Sequence, residues 1–119
     1  MDIEKKKKKM REYAEGKREV ERLELELEAL GEEKETWTAE EKRMQQGIKE
    51  KISKKRLENI KRFDELQKAI GEMQNQTERE ILTYRYIKGM KWGEISTMTK
   101  YEHTQTMRIH KRALHNISI

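Results

Sequence analysis

Residues 77–117 read TEREILTYRYIKGMKWGEISTMTKYEHTQTMRIHKRALHNI, and their spacing decides the fold. Thr77 and Glu80 have capping-box spacing, in which each side chain bonds the other residue's free backbone N–H. The helix so started runs through Ile81, Leu82, Tyr84, Arg85, Tyr86 and Ile87, and Gly89 ends it. Trp92, Ile95 and Met98 follow at helical spacing and predict a short amphipathic helix with Trp92 in its core. Thr99, Lys100 and Tyr101 make a turn. A last helix is expected from about His103 to Asn116, with Thr106, Ile109, Ala113, Leu114 and Ile117 facing inward. Helix, short helix, tight turn and longer helix is the order of a helix-turn-helix.

Upstream, the apolar spacing changes. Tyr13, Gly16, Val20, Leu23, Leu27 and Leu30 alternate steps of three and four, which is a coiled-coil seam, and Gly31 is placed to stop that helix. Thr38 and Glu41 form another capping-box pair. The helix after it carries the stripe Met44, Ile48, Ile52, Ile60, Phe63, Leu66, Ile70 and Met73. Residues 19–35 hold eight Glu, and residues 42–62 hold nine Lys or Arg. Opposed charge and a short connection predict an antiparallel pair, with the second helix overhanging by roughly two turns. The expected fold is therefore all-α. Residues 1–76 form a long antiparallel helical hairpin, a coiled-coil-like arm, and residues 77–119 form the C-terminal helix-turn-helix domain. A two-helix hairpin buries little on its own. Val20, Leu23, Leu27 and Leu30, with Phe63, Leu66, Ile70 and Met73 on the overhang, are accordingly expected to join copies of the chain. A homodimer is the simplest closed arrangement.

Composition narrows the function. Leu, Ile, Val and Phe number only 21 of 119 residues, too few for an ordinary compact globule. Charges are dense and of both signs, with 28 basic and 23 acidic residues and no proline, which suits solvated helices. The lack of cysteine excludes disulfides and thiolate zinc sites. No apolar run approaches a membrane span, and no apolar stretch follows Lys5–Lys9 as a secretory signal requires. A cytoplasmic protein without membrane contact is expected, with Lys5–Lys9 as a solvated tail and contact with phosphate as the alternative role of that run. His103, His110 and His115 lack the i,i+4 spacing of a helical metal pair, so no metal is expected, and His110 reads as a structural histidine. With no Gly-rich phosphate loop, nucleophile elbow or paired acids, neither catalysis nor a cofactor is expected.

The run Ile81 to Ser96 resembles the start of a sigma-factor region-four domain, which reads apolar–apolar–x–x–Arg–Tyr/Phe–x–x–Gly, then apolar–x–aromatic–x–Glu–Ile–Ala. Tyr101 to Leu114 matches the second half without a gap. Ile109-His110-Lys111-Arg112-Ala113-Leu114 is similar to a group of small phage-encoded transcription regulators that also place a long charged helical region ahead of the motif. The resemblance covers residues 78–117. It implies a DNA-binding domain whose last helix enters the major groove of double-stranded DNA in a bacterial host cytoplasm. The matching base-contacting positions are His103, Thr104, Met107 and Arg108. Arg108 can bond guanine bidentately. Lys91, Lys100, Lys111 and Arg112 are candidates for phosphate contact, because cations on helix starts and outer faces reach the backbone.

The chain departs from the pattern in two places. Glu102 occupies an N-cap where sigma factors usually have Ser or Thr; its carboxylate can accept from the Gln105 N–H, but it brings negative charge close to DNA. Thr104 stands where primary sigma factors read a base with an acidic residue, so their promoter sequence does not carry over. The leading expectation is a sequence-specific DNA-binding transcription regulator. The alternative is a coiled-coil adaptor that binds RNA polymerase or another protein through the sigma-like domain. A third class is a DNA-packaging or recombination accessory protein.

Overall fold

The computed structural model describes residues 2–119, which are all helix, turn and loop. Helix α1 spans Ile3–Leu30, α2 Ala39–Gly71, α3 Gln76–Leu82, α4 Trp92–Thr99 and α5 His103–Asn116; Thr83–Ile87 continue α3 as a π-helical turn. The two long helices pack as a long antiparallel hairpin, as the opposed charge blocks predict. Asp2 Oδ1 accepts from the Lys5 N–H at 2.9 Å and caps α1. Gly31, in the left-handed region at φ +75, closes its other end by donating to Leu27 and Glu28 carbonyls. The Thr38–Glu41 box forms in both directions, at 3.2 and 3.1 Å.

The chain divides into two compact units, one of residues up to Ala14 together with Arg62–Ile119, the other Glu15–Lys61. This division differs from the expected boundary between 76 and 77. The reason lies in the packing of both long helices.

In the Glu15–Lys61 unit, Val20, Leu23 and Ile52 are buried together, with Leu27 and Ile48 against them. Glu19 pairs with Lys55 at 3.4 Å, Glu24 with Arg56 at 2.6 Å and Glu33 with Lys42 at 3.6 Å. The α2 stripe is corrected here. Met44 and Ile60 are exposed, and from Ile52 the inward face passes through half-buried Lys55 to buried Asn59. Steps of three and four from Ile52 lead to those polar residues, whereas Ile60 lies one residue off the seam. Among the described residues, Asn59 Oδ1 has no hydrogen-bond partner.

In the other unit, the first turns of α1 form part of the core. Met10 is 1% exposed and shares a cluster with Leu66, Ile70, Met73 and Leu82, and with Ala113, Leu114 and Ile117 of α5 and its cap. Ile3 and Tyr13 pack against the same cluster, and the Tyr13 ring lies 5.4 Å from that of Phe63. Lys5–Lys9 are thus helical rather than a free tail; Lys6 and Lys7 are half-buried, and Lys5, Lys8 and Lys9 are exposed. The apolar overhang expected for self-association does not exist: Leu66, Ile70 and Met73 are buried inside the chain and Phe63 is half-covered by Tyr13. Val20 and Leu23 are likewise used in the hairpin seam, with Leu27 half-buried against them; Leu30 is half-buried at the end of α1. The regular seam spacing starts at Tyr13, so the two turns before it, whose Ile3 and Met10 cover this face, do not show as part of it in the sequence.

The start of α3 is corrected as well. Asn75, not Thr77, is the N-cap, its side chain accepting from the Glu78 N–H at 2.9 Å. Asn75 and Glu78 have the same i,i+3 spacing as Thr77 and Glu80, so the sequence offered two starts two residues apart.

Candidate nucleic-acid interface

The helix-turn-helix is fixed from beneath by a second cluster, in which Ile81, Ile95 and Ile109 are buried. Between α3 and α4 the chain turns through Gly89 at φ +67, which a Cβ would strain. The wide turn before it is held by Lys88 N–H donating to the Thr83 carbonyl and Met90 N–H to the Tyr84 carbonyl, both at 2.9 Å. The Arg85 guanidinium donates to the Met90 carbonyl at 3.0 Å and lies 4.6 Å from the Trp92 ring centre. Trp92 is half-buried under that cation, and Met98 is exposed instead of inward. α4 is only eight residues long, and its third apolar position passes beyond the face that Ile95 buries.

The turn into α5 places Lys100 in the left-handed region at φ 63. Thr106 Oγ1 donates to the Glu102 carbonyl at 3.0 Å and lies 3.4 Å from Ser96 Oγ, joining the two helices across the turn. The Glu102 side chain makes no capping bond, contrary to expectation. Its backbone is extended, and the Thr106 N–H bonds the Glu102 carbonyl instead. Glu94 accepts from the Lys91 N–H at 3.3 Å, so this carboxylate caps α4.

Thr106, Ile109, His110, Ala113 and Leu114 form the inner face of α5. His110 is 6% exposed, its Nε2 2.7 Å from Tyr86 Oη and its ring edge-on to Trp92 at 4.7 Å. Burial, with the positive charges of Lys7 and Arg85, lowers its pKa to about 4. Burial raises that of Tyr86. The phenol therefore keeps its proton and donates to neutral Nε2, which puts the imidazole proton on Nδ1. This pair is structural glue between α3 and α5, as the sequence reading of His110 had it.

The opposite face of α5 carries Thr104, Arg108 and Lys111, all exposed, at steps of four and three. His115, four residues further and also exposed, extends the ridge. The resemblance points to the N-terminal half of the helix only, although the spacing alone contains His115. His103 is exposed at the helix start, whereas Met107 is half-buried on the flank. Lys91 and Lys100 are exposed. Arg112 is engaged: its Nε donates to Glu78 Oε1 at 3.3 Å. Glu78 is 2% exposed and also accepts from Asn116 Nδ2 at 2.7 and 3.2 Å, so a buried carboxylate ties the start of α3 to the end of α5. Only the terminal guanidinium nitrogens of Arg112 remain for a phosphate. At the end of α5, Lys6 Nζ donates to the His115 and Ile117 carbonyls at 3.2 and 2.8 Å, a cation on the negative end of the helix dipole.

The arrangement is an all-α helix-turn-helix unit with a polar, largely cationic outer ridge. Among the described residues, no group of three or more metal-binding side chains is assembled and no helix is long and apolar enough to cross a membrane. The chain belongs to the family described as "Protein of unknown function (DUF1492)", whose pattern matches residues 44–118. That match starts within α2 and runs through α5, so the family pattern includes most of α2 as well as the helix-turn-helix. No curated protein and no solved structure matches the chain.

Proposed function

We propose that this protein is a sequence-specific regulator of transcription that binds double-stranded DNA through α5, in the cytoplasm of a bacterial host. The observation that carries the reading is the exposed ridge Thr104–Arg108–Lys111 on the helix that follows the tight turn. Such a helix fits the major groove, where a guanidinium reads guanine and a hydroxyl meets a base or a phosphate. The sigma region-four resemblance points to the same helix. The buried residues behind it hold the ridge in place; Glu78 is paired with Arg112 and Glu94 accepts from the Lys91 N–H, while Glu102 stays exposed at the start of α5.

The test is selection of bound duplexes from a random pool with the full-length protein, followed by titration of variants. Arg108→Ala is expected to cost roughly 1–3 kcal/mol on the selected duplex and to relax sequence preference. Lys111→Ala is expected to weaken all duplexes alike and to make the salt slope shallower by about one. Both residues are exposed, so the fold survives. The stoichiometry on the selected duplex counts the copies bound. If the wild type shows no salt-dependent duplex binding, the DNA reading fails and the adaptor reading, with RNA polymerase or another protein as partner, takes its place.

A further inference from the structure

We propose that Lys5, Lys8 and Lys9, on the first turns of α1, form a second phosphate-binding edge beside the C-terminal end of α5; this rests on the reading of α5 as the DNA helix. The fold, not the sequence order, brings these lysines into the helix-turn-helix unit. Counted along the chain they fall in a stretch, residues 1–35, of net −2. Counted by compact unit, the part containing residues 2–14 and 62–119 has 16 basic and 10 acidic side chains, net +6. The Glu15–Lys61 unit has 12 and 13, net −1. The whole excess of positive charge therefore sits with α5, and residues 2–14 supply half of it, with six basic and three acidic groups.

Folding makes no visible use of these three side chains. Lys6 caps α5, and Lys7 pairs with Glu4 at 3.8 Å and faces His110 electrostatically. Lys5, Lys8 and Lys9 are exposed and make no ion pair among the described residues. They also sit in the first turns of a helix, the end where the dipole disfavours cations. A cluster that folding does not use and the helix dipole opposes fits a surface that meets an anion.

The anion is the backbone of the same duplex. α5 has 14 residues and is about 21 Å long. The major groove is only about 12 Å wide, so a helix whose first turns touch its floor leaves the groove toward a flanking strand. The Lys6 contacts pin the start of α1 at that leaving end. The neighbouring lysines are then in position to neutralise flanking phosphates without reading sequence.

The full-length variant Lys5→Gln/Lys8→Gln/Lys9→Gln is titrated against the selected and a scrambled duplex at several salt concentrations, beside wild type. Circular dichroism checks that the helices are kept. A control, Lys49→Gln/Lys51→Gln/Lys54→Gln, removes the same charge from the other unit, where these lysines are also exposed. The first variant is expected to make the log–log salt slope shallower by about two to three, at close to 0.9 per phosphate contact, with the ratio of selected to scrambled affinity unchanged. The control is expected to leave the slope within about half a unit of wild type. An unchanged slope in the first variant, or an equal change in the control, overturns the second edge and leaves the α5 reading intact. Loss of sequence preference in the first variant contradicts a phosphate-only role. Absence of duplex binding by wild type overturns both.

Discussion

Met10→Ala lowers the unfolding free energy by about 2–5 kcal/mol, the range for emptying a fully enclosed methionine site. Met10 is 1% exposed and lies in the largest apolar cluster of the chain. That cluster also holds Leu82, Leu114 and Ile117, which carry α3 and α5. Its other walls come from the end of α2, so the cavity left by truncation opens between elements that cannot all close on it. A thioether at the tenth residue of a lysine-rich segment has no such value if that segment is a solvated tail. Urea unfolding of the full-length protein measures the difference. A change below about 0.5 kcal/mol, the range for surface substitutions, means that the first turns of α1 do not dock on the helix-turn-helix.

Acid weakens this protein through His110. The imidazole is neutral in the fold, with a pKa lowered to about 4 from the ordinary 6.5. The unfolded chain therefore takes up a proton between those values that the folded chain refuses. Stability is complete above about pH 6.5 and falls as the pH drops toward 4, by about 3 kcal/mol at roughly 1.4 kcal/mol per pKa unit. The ring is buried, Lys7 and Arg85 face it with positive charge, and Tyr86 donates to it, so an imidazolium is disfavoured there. His110→Gln keeps a polar partner for Tyr86 and removes the titration. The difference between wild type and variant, followed by urea unfolding from pH 7 to 4, isolates this residue from the carboxylates common to both. The wild type is expected to lose its advantage across that window. Parallel curves contradict the buried neutral histidine.

Much of the chain is written in local signals. The Gly31 stop, the Thr38–Glu41 box and the inner face of α5 follow from spacing within a few residues, and the structure has each of them. What could not be read was pairing at long range. Leu66, Ile70 and Met73 look unpartnered until Ile3 and Met10 are placed opposite them, and those two residues stand among lysines that hide the seam. Asn59 lies on the inner side of α2, a place where periodicity favours the neighbouring Ile60. The same gap touches the candidate site. Thr104 and Arg108 follow from the resemblance, and helical phase agrees for them and for Lys111, because a strong apolar face fixes the opposite one. The restraint on Arg112 was not, since its partner Glu78 lies 34 residues away.

Backbone amide shifts of the full-length protein, recorded by nuclear magnetic resonance as the selected duplex is added, follow the contact with DNA residue by residue. The largest changes are expected at Thr104, Arg108 and Lys111 and along Lys5–Lys9, with the amides of Glu15–Lys61 unmoved. Saturation without change in α5, or with the largest changes in Glu15–Lys61, would contradict DNA binding through α5.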